Sequence, residues 1–303
     1  MSSSAMNGVD LGGPLKQTEE PLALVFGASG LLGYALGPAL RMRGVRVTAP
    51  RSAEVDITDF GAVAAAIDED RPHLVINLAA ESGVDRCEVD PDRAFRVNAL
   101  GPHNLALACS AVDIPLLHVS TDYVFDGRQT RPYRESDPTG TPPNVYGQAK
   151  LLGEVLVRRH ARRHYIVRVA ALFGAGRQDV VDWVIEGADP KAPLPLIVDC
   201  ALSPTWTVEV AEQIVAILET PYYGTYHATG DGTCSWYDVA RVVLKNQGGD
   251  PDGIRGVKGA ELGRPAQRPT YSVLENHHLR LRGIDRMGPW RPALERYLAT
   301  RKG

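Results

Sequence analysis

An apolar run of strand length, Leu22-Ala-Leu-Val-Phe26, is followed at once by Gly27-Ala-Ser-Gly30-Leu-Leu-Gly33 and then by a helical stretch from Leu32 to Arg43. Glycines three apart between a strand and a helix suit a dinucleotide. One allows the tight turn, another lets the backbone approach a pyrophosphate, and the third lets the helix sit close to the strand. The helix N-terminus adds free N–H groups and the positive end of its dipole. Gly27, Ser29, Gly30, Leu31, Leu32 and Gly33 are therefore the first candidate cofactor contacts. Pro38, inside the helical run, is expected to bend or disrupt it.

The chain that follows alternates strand and helix. Val45 to Thr48 reads as a second strand ending in Ala-Pro-Arg51-Ser52. An NAD site usually carries an acidic residue about 20 positions past the glycines, whereas an arginine there accommodates a 2′-phosphate. Arg51 with Ser52 thus favours NADP(H) over NAD(H); the alternative is a solvated loop arginine. Asp56-Ile57-Thr-Asp is a polar turn suited to the adenine edge. A helix over Phe60 to Asp70 leads to a buried strand, Leu74 to Ala80, and its small end (Leu78, Ala79, Ala80) would let a cofactor lie against backbone. A helical run from Ala94 to Val112 and a strand from Leu116 to Ser120 continue the alternation. The expected class is α/β, a doubly wound parallel (Rossmann) sheet with right-handed crossovers and ligands beyond the strand C-termini.

Ser120-Thr-Asp-Tyr-Val-Phe-Asp-Gly127 falls at such a strand end, where Thr121 can donate to a carbonyl or alkoxide oxygen. Tyr146 and Lys150 stand four apart at the head of the next helical run, so their side chains share a face. A free phenol has a pKa of about 10, and a neighbouring ammonium favours the phenolate, moving the group towards the working range of a general acid/base. Composition narrows the rest. A net charge of −3 gives no reason to expect nucleic acid or an anionic membrane as partner. No apolar run approaches the ~20 residues of a membrane span. The four cysteines show no C-x-x-C pairing and no secretory leader is visible, so buried, reduced thiols in a cytoplasm are expected. His277-His278 lacks a carboxylate or thiol at ligand spacing, so no metal is expected. Residues 1–20, polar and Gly-rich, read as a mobile tail.

Taken together, these segments resemble the extended short-chain dehydrogenase/reductase family, and within it the dTDP-4-dehydrorhamnose reductase branch. The likeness spans residues 22–298. It includes the glycine loop, Asn-Leu-Ala-Ala (77–80), the 120–127 segment, Asn-Val-Tyr-Gly-Gln-Ala-Lys (144–150) and Asp199 through Pro204-Thr205. Arg268-Pro-Thr-Tyr-Ser-Val-Leu274 and Pro289 through Leu298 complete it. The resemblance implies that Tyr146 protonates a sugar oxygen as NADPH delivers hydride, that Lys150 holds the nicotinamide ribose and lowers the phenol pKa, and that Thr121 orients the carbonyl. Asp122 and Tyr123 would lie beside the sugar, Val84 would border it, and Arg268 would face the nucleotide diphosphate or form a structural ion pair.

Two positions depart from the branch. Members that reduce dehydrorhamnose usually carry a Trp three residues after the arginine matching Arg168, where this chain has Ala171. Glu81 stands where many members have a neutral side chain or His, placing a carboxylate near the sugar end. Both bear on the substrate: the resemblance implies a keto-sugar on a nucleotide, reduced at C4, with the sugar and nucleotide left open. The methionine adenosyltransferase beta subunit, a regulatory protein resembling the same branch, also lacks the Trp, and a nucleotide-sugar epimerase shares the Tyr and Lys. The expected domains are a Rossmann domain over 21–172 plus about 205–222 and a smaller, interleaved α/β substrate-binding domain over 173–204 and 223–303. A homodimer is left open.

Overall fold

The computed structural model describes residues 12–301. The strands are β1 (Leu22–Phe26), β2 (Arg46–Thr48), β3 (Leu74–Asn77), β4 (Leu116–Thr121), β5 (His164–Val169), β6 (Leu172–Phe173), β7 (Leu194–Ile197), β8 (Thr205–Trp206), β9 (Gly224–His227) and β10 (Ile254–Val257). The helices are α1 (Leu31–Arg41), α2 (Phe60–Asp70), α3 (Val84–Val89), α4 (Pro91–Phe95), α5 (Gly101–Ala111), α6 (Val145–His160), α7 (Val180–Gly187), α8 (Thr207–Leu218), α9 (Trp236–Gln247), α10 (His277–Leu281) and α11 (Trp290–Thr300).

Six strands form one parallel sheet in the order β2-β1-β3-β4-β5-β9. β1, β3 and β4 are almost wholly buried, as strands covered by helices on both faces must be. Leu36, Leu40, Val210 and Ile214 of α1 and α8 cover one face, and Val63, Ile67, Leu105 and Val157 of α2, α5 and α6 cover the other. The chain winds outward from β1 in both directions, so a crevice opens at the C-terminal ends of β1 and β3. A separate core gathers Val184, Leu196, Val239, Val243, Leu294 and Leu298 around the parallel pair β7 and β10.

The structure changes the sequence expectations at five places. β9, in the 223–303 stretch expected in the smaller domain, pairs with β5 and completes the six-stranded sheet. Pro38 lies inside α1 without ending it. The strand expected over residues 74–80 stops at Asn77, whose Oδ1 accepts from Ala79 N at 3.0 Å and turns the chain out of the ladder. The single helix expected over 94–112 is broken into α4, a π turn over Arg96–Leu100, and α5. Pro102 has no N–H to offer the carbonyl of Asn98, four residues back. That carbonyl instead lies against Gly153, where an added Cβ would stand 2.3 Å from it. Finally, the tail is not wholly free. Residues 1–11 lie outside the described residues, but Gly13 N donates to Glu219 O at 3.1 Å, Pro14 is buried, and Leu15 packs on the core beside α8.

Cys87, Cys109 and Cys234 are buried and Cys200 is partly so, all as free thiols. Among the described residues no helix is long and apolar enough to cross a membrane.

Candidate active site

The crevice begins with two glycines that the fold itself requires. Gly27 has φ +79°, and a Cβ there would lie 2.4 Å from Ala79 N; at Gly33 it would lie 2.3 Å from Ala28 O. Gly30 is different, because a Cβ there would meet nothing closer than Gly27 O at 3.4 Å. It caps α1 and lines the crevice, so only a ligand brought against the helix N-terminus needs that position bare. The crevice has a volume of about 1480 Å³. Every cofactor residue expected from sequence lines it: Gly27, Ser29, Gly30, Leu31, Leu32, Gly33, Arg51, Ser52, Asp56, Ile57, Leu78, Ala79, Ala80, Tyr146 and Lys150. The donor set fits a dinucleotide phosphate, with N–H groups at the helix end and Arg51 at the far edge. Arg51 is exposed and folded onto Glu54, its Nε and Nη2 donating at 3.0 and 2.6 Å. A 2′-phosphate would have to compete with that carboxylate, and an exposed pair of this kind is weak. Arg86, Arg93, Arg96 and Arg177 also line the crevice; arginines scattered over α3, α4 and later loops carry no sequence signal that they converge.

A second cavity of about 490 Å³ adjoins the first and shares Ser82, Thr121, Asp122, Tyr146 and Ala171 with it. Tyr146 thus stands where the two meet. Its position follows from the start of α6: Asn144 accepts from Gly147 N at 2.8 Å and donates to Gln267 O at 2.7 Å, pinning the helix cap. Burial pushes the Tyr146 phenol above its ordinary value, Thr121 opposes this by hydrogen bonding, and Asp122 adds to it. Here the expectation that Lys150 lowers the phenol needs correction. Lys150 is buried and points inward, its Nζ donating to Val119 O at 2.7 Å and standing 3.4 Å from His118 Nε2. Burial lowers the amine to about 8, and Glu154 works against that shift.

Thr121 is also engaged. Its hydroxyl donates to Asp122 Oδ1 at 2.9 Å and accepts from Tyr123 N at 3.2 Å, so its one proton is directed at the carboxylate. Asp122 is buried, and burial raises it from 3.8 to about 6 against hydrogen bonds from Ser272 and Thr121. The fold therefore binds this proton more tightly than the unfolded chain does. Its contribution to stability is full below about pH 4 and is lost as pH rises through about 6. Asp122→Asn removes that loss. The variant is expected to be more stable than the parent at pH 8, by on the order of 2–3 kcal/mol, and to show no advantage at pH 4; urea unfolding at the two pH values checks it.

Val84, Thr121, Asp122, Tyr123 and Arg268, the residues that the resemblance puts at the substrate, all line the smaller cavity. Both Arg268 amino groups donate to Asp85, one of them at 2.7 Å, so its fork is held in an ion pair bridging α3 and the 266–270 segment. Arg264, exposed on the same wall, was not anticipated. Neither were Trp183 and Trp236, which line the cavity from α7 and α9. Ala171 adopts φ +44°, a left-handed conformation uncommon for a residue with a Cβ, at the junction of the two cavities. Glu81 does not present a free carboxylate to the sugar end, which corrects the expectation from sequence. Arg86 at 2.8 Å, Arg93 at 3.2 Å and Gly83 N at 3.1 Å hold it, and Asn98 brackets its backbone N and O at 3.0 Å each.

A family model described as the RmlD substrate binding domain matches residues 22–302. The chain belongs to this family. RmlD-family relatives include a dTDP-4-dehydrorhamnose reductase of Streptomyces griseus, 41% identical over 90% of this chain and 92% of its own length. The spore coat polysaccharide biosynthesis protein SpsK of Bacillus subtilis is 36% identical over 92% and 97%. Among solved RmlD-family structures, the dTDP-4-dehydrorhamnose reductase of Bacillus anthracis in complex with NADP superposes with a TM-score of 0.88 at 31% identity, covering 93% of this chain and 99% of that one. The Clostridium acetobutylicum reductase gives 0.88 at 36% identity, covering 93% and 100%.

Proposed function

We propose that the protein is an NADPH-dependent oxidoreductase that reduces the C4 keto group of a nucleotide-activated deoxysugar, with Tyr146 as the general acid. The observation that carries this reading is the meeting of the two cavities at Tyr146 and Thr121. A cofactor laid in the larger and a sugar in the smaller would bring their reacting atoms together there. NADPH, held by the glycine loop and the crevice residues, would supply a hydride to the carbonyl carbon. As negative charge develops on the carbonyl oxygen, Tyr146, protonated at neutral pH as a phenol ordinarily is, would give it a proton. Thr121 turns its hydroxyl from Asp122 to the same oxygen, stabilising the developing charge. Lys150, which donates to Val119 O here, would hold the cofactor ribose if turned to the crevice, and only from there would its ammonium stabilise the phenolate that remains.

The sugar has no indole at position 171. Trp183 and Trp236 line the same cavity and would supply apolar surface instead, with the exposed Arg264 as a cation for the diphosphate. This favours a dTDP-linked 4-keto-6-deoxyhexose, the class named for the relatives, over a sugar lacking a nucleotide. The test is a thermal-shift screen with NADPH present against dTDP-, UDP-, GDP- and CDP-linked sugars, followed by NADPH oxidation with the matching 4-keto compound. A melting temperature raised by the dTDP series, and turnover with its 4-keto member, is the expected result. NADPH binding without turnover of any keto-sugar would overturn it and mark a non-catalytic subunit.

A further inference from the structure

A buried polar chain runs from Lys150, in the wall of the larger cavity, into the sheet. Asn77, at the end of β3, and His118, in the middle of β4, are fully buried, and Lys150 is 2% exposed. Asn77 Oδ1 accepts from Ala79 N at 3.0 Å. That bond fixes the amide, because turning it over would set its NH₂ against the Ala79 N–H. Asn77 Nδ2 must then be the donor in its 3.1 Å contact with His118 Nδ1. An imidazole that accepts at Nδ1 carries its proton on Nε2, and Nε2 lies 3.4 Å from Lys150 Nζ. The inward seat of Lys150 therefore has an acceptor on one side, Val119 O at 2.7 Å, and a donor on the other. An ammonium has three donors and nothing with which to accept the Nε2–H, whereas a neutral amine has the lone pair the seat requires.

We propose that His118, oriented by Asn77, is a positioning residue that seats Lys150 inward as the neutral amine and releases it to the crevice when it takes up a proton. The link to catalysis rests on the assignment of Lys150 to the cofactor ribose made above; the seat itself does not. Burial keeps the imidazole neutral, with Lys150 adding to that effect and Glu154 opposing it. Of the charged groups around the pair, Glu154 lies one turn along α6 and favours the ammonium. Arg168 on β5 and Arg158 on α6 are both bound to Glu154, and Tyr146 and Asp122 stand on the cavity side. β3 contributes Asn77, which does not titrate.

A lysine whose folded value is depressed leaves the unfolded chain binding more protons over the window between the two values. Stability therefore rises with pH across that window, from about 8 to the ordinary lysine value of about 10.4. The test is urea unfolding of the cofactor-free protein between pH 7 and 10.5, each variant referenced to Lys150→Met, which cancels the cysteines and tyrosines that titrate over the same range. The parent is expected to gain a factor of about 10² in its folding constant across the window relative to Lys150→Met. His118→Leu, which removes the opposing donor, should gain less than about tenfold. His118→Gln, which keeps an N–H at the place of Nε2, should follow the parent. Should the leucine variant not fold, Asn77→Asp serves instead: it cannot donate, so it turns the imidazole proton to Nδ1 and presents the Nε2 lone pair, and it too should flatten the gain. A leucine or aspartate variant that keeps the parent's gain overturns the proposal, as does a glutamine variant that loses it. NADPH affinity, followed by fluorescence over the same range, separates the two readings. A parent affinity that weakens above pH ~8 and persists to higher pH in His118→Leu supports both the seat and the ribose assignment. An affinity indifferent to pH, with the stability result intact, supports the seat and removes Lys150 from the ribose.

Discussion

Tyr146→Phe is expected to lower turnover of the 4-keto sugar by about 10²-fold or more while NADPH binds within a few-fold of its parent affinity. The substitution keeps the aromatic ring, and with it the edge-on contact to Tyr123 at 5.9 Å between centroids. It also leaves the Asn144 cap and the α6 backbone untouched. What it removes is the hydroxyl at the junction of the two cavities, the group from which the proton would come. With an ordinary pKa of about 10, which burial only raises, the parent's phenol is protonated through the neutral range, and water must replace it in the variant. Single-turnover NADPH oxidation with saturating keto-sugar, beside a fluorescence titration of the cofactor, separates loss of chemistry from loss of binding. A variant that turns over as fast as its parent would remove Tyr146 from the reaction.

The second large effect concerns stability. Glu154 and Arg168 form a buried bidentate pair, with Arg168 Nε to Oε1 at 2.8 Å and Nη2 to Oε2 at 2.7 Å. The guanidinium also lies 3.3 Å from His227 Nε2 and 4.9 Å from the centroid of Phe125. The pair ties α6, which carries Tyr146 and Lys150, to β5 behind it. Arg168→Met leaves a fully buried carboxylate whose remaining ion pair is the partly exposed Arg158 at 3.0 Å, with Ser120 also hydrogen-bonding it. The expected cost is about 3–5 kcal/mol. With its main partner present, the Glu154 carboxyl is held down to about 2, so the pair's stabilisation is complete above the ordinary carboxylate value and is lost only as pH falls towards 2. Without that partner, burial pushes the same carboxyl up, so the variant should lose more at pH 8 than at pH 5. Glu154→Leu combined with Arg168→Met removes both charges and should recover most of the loss. Urea unfolding of parent, single and double variants measures all three. A single variant that loses under 1 kcal/mol would show that the pair does not hold the helix.

Both predictions depend on α6, and α6 was legible because its signals are local. Tyr146 and Lys150, four apart at the head of a helical run and so on one face, can be read within two turns. The glycine loop was legible for the same reason: Gly27 and Gly33 answer to contacts made within one βα unit and its neighbouring strand. The residues that were missed answer to contacts across the chain. Trp183 and Trp236 reach the smaller cavity from helices of a separate core, and Arg264 comes from a loop about eighty residues past α7. Nothing near them in sequence marks them as neighbours of Thr121.

The sequence by itself determined the fold class, the crevice beyond β1 and β3, and which side chains could carry acid and cation, because periodicity, glycine spacing and helix caps are short-range properties. Only the tertiary structure decided what those side chains are doing. Lys150 turns inward to Val119 and His118, Thr121 spends its proton on Asp122, Arg268 is taken by Asp85, and Glu81 is neutralised by Arg86 and Arg93. The physical reason is that a hydrogen bond or ion pair goes to the partner within about 3 Å, and most of those partners lie on elements that only the folded chain brings together.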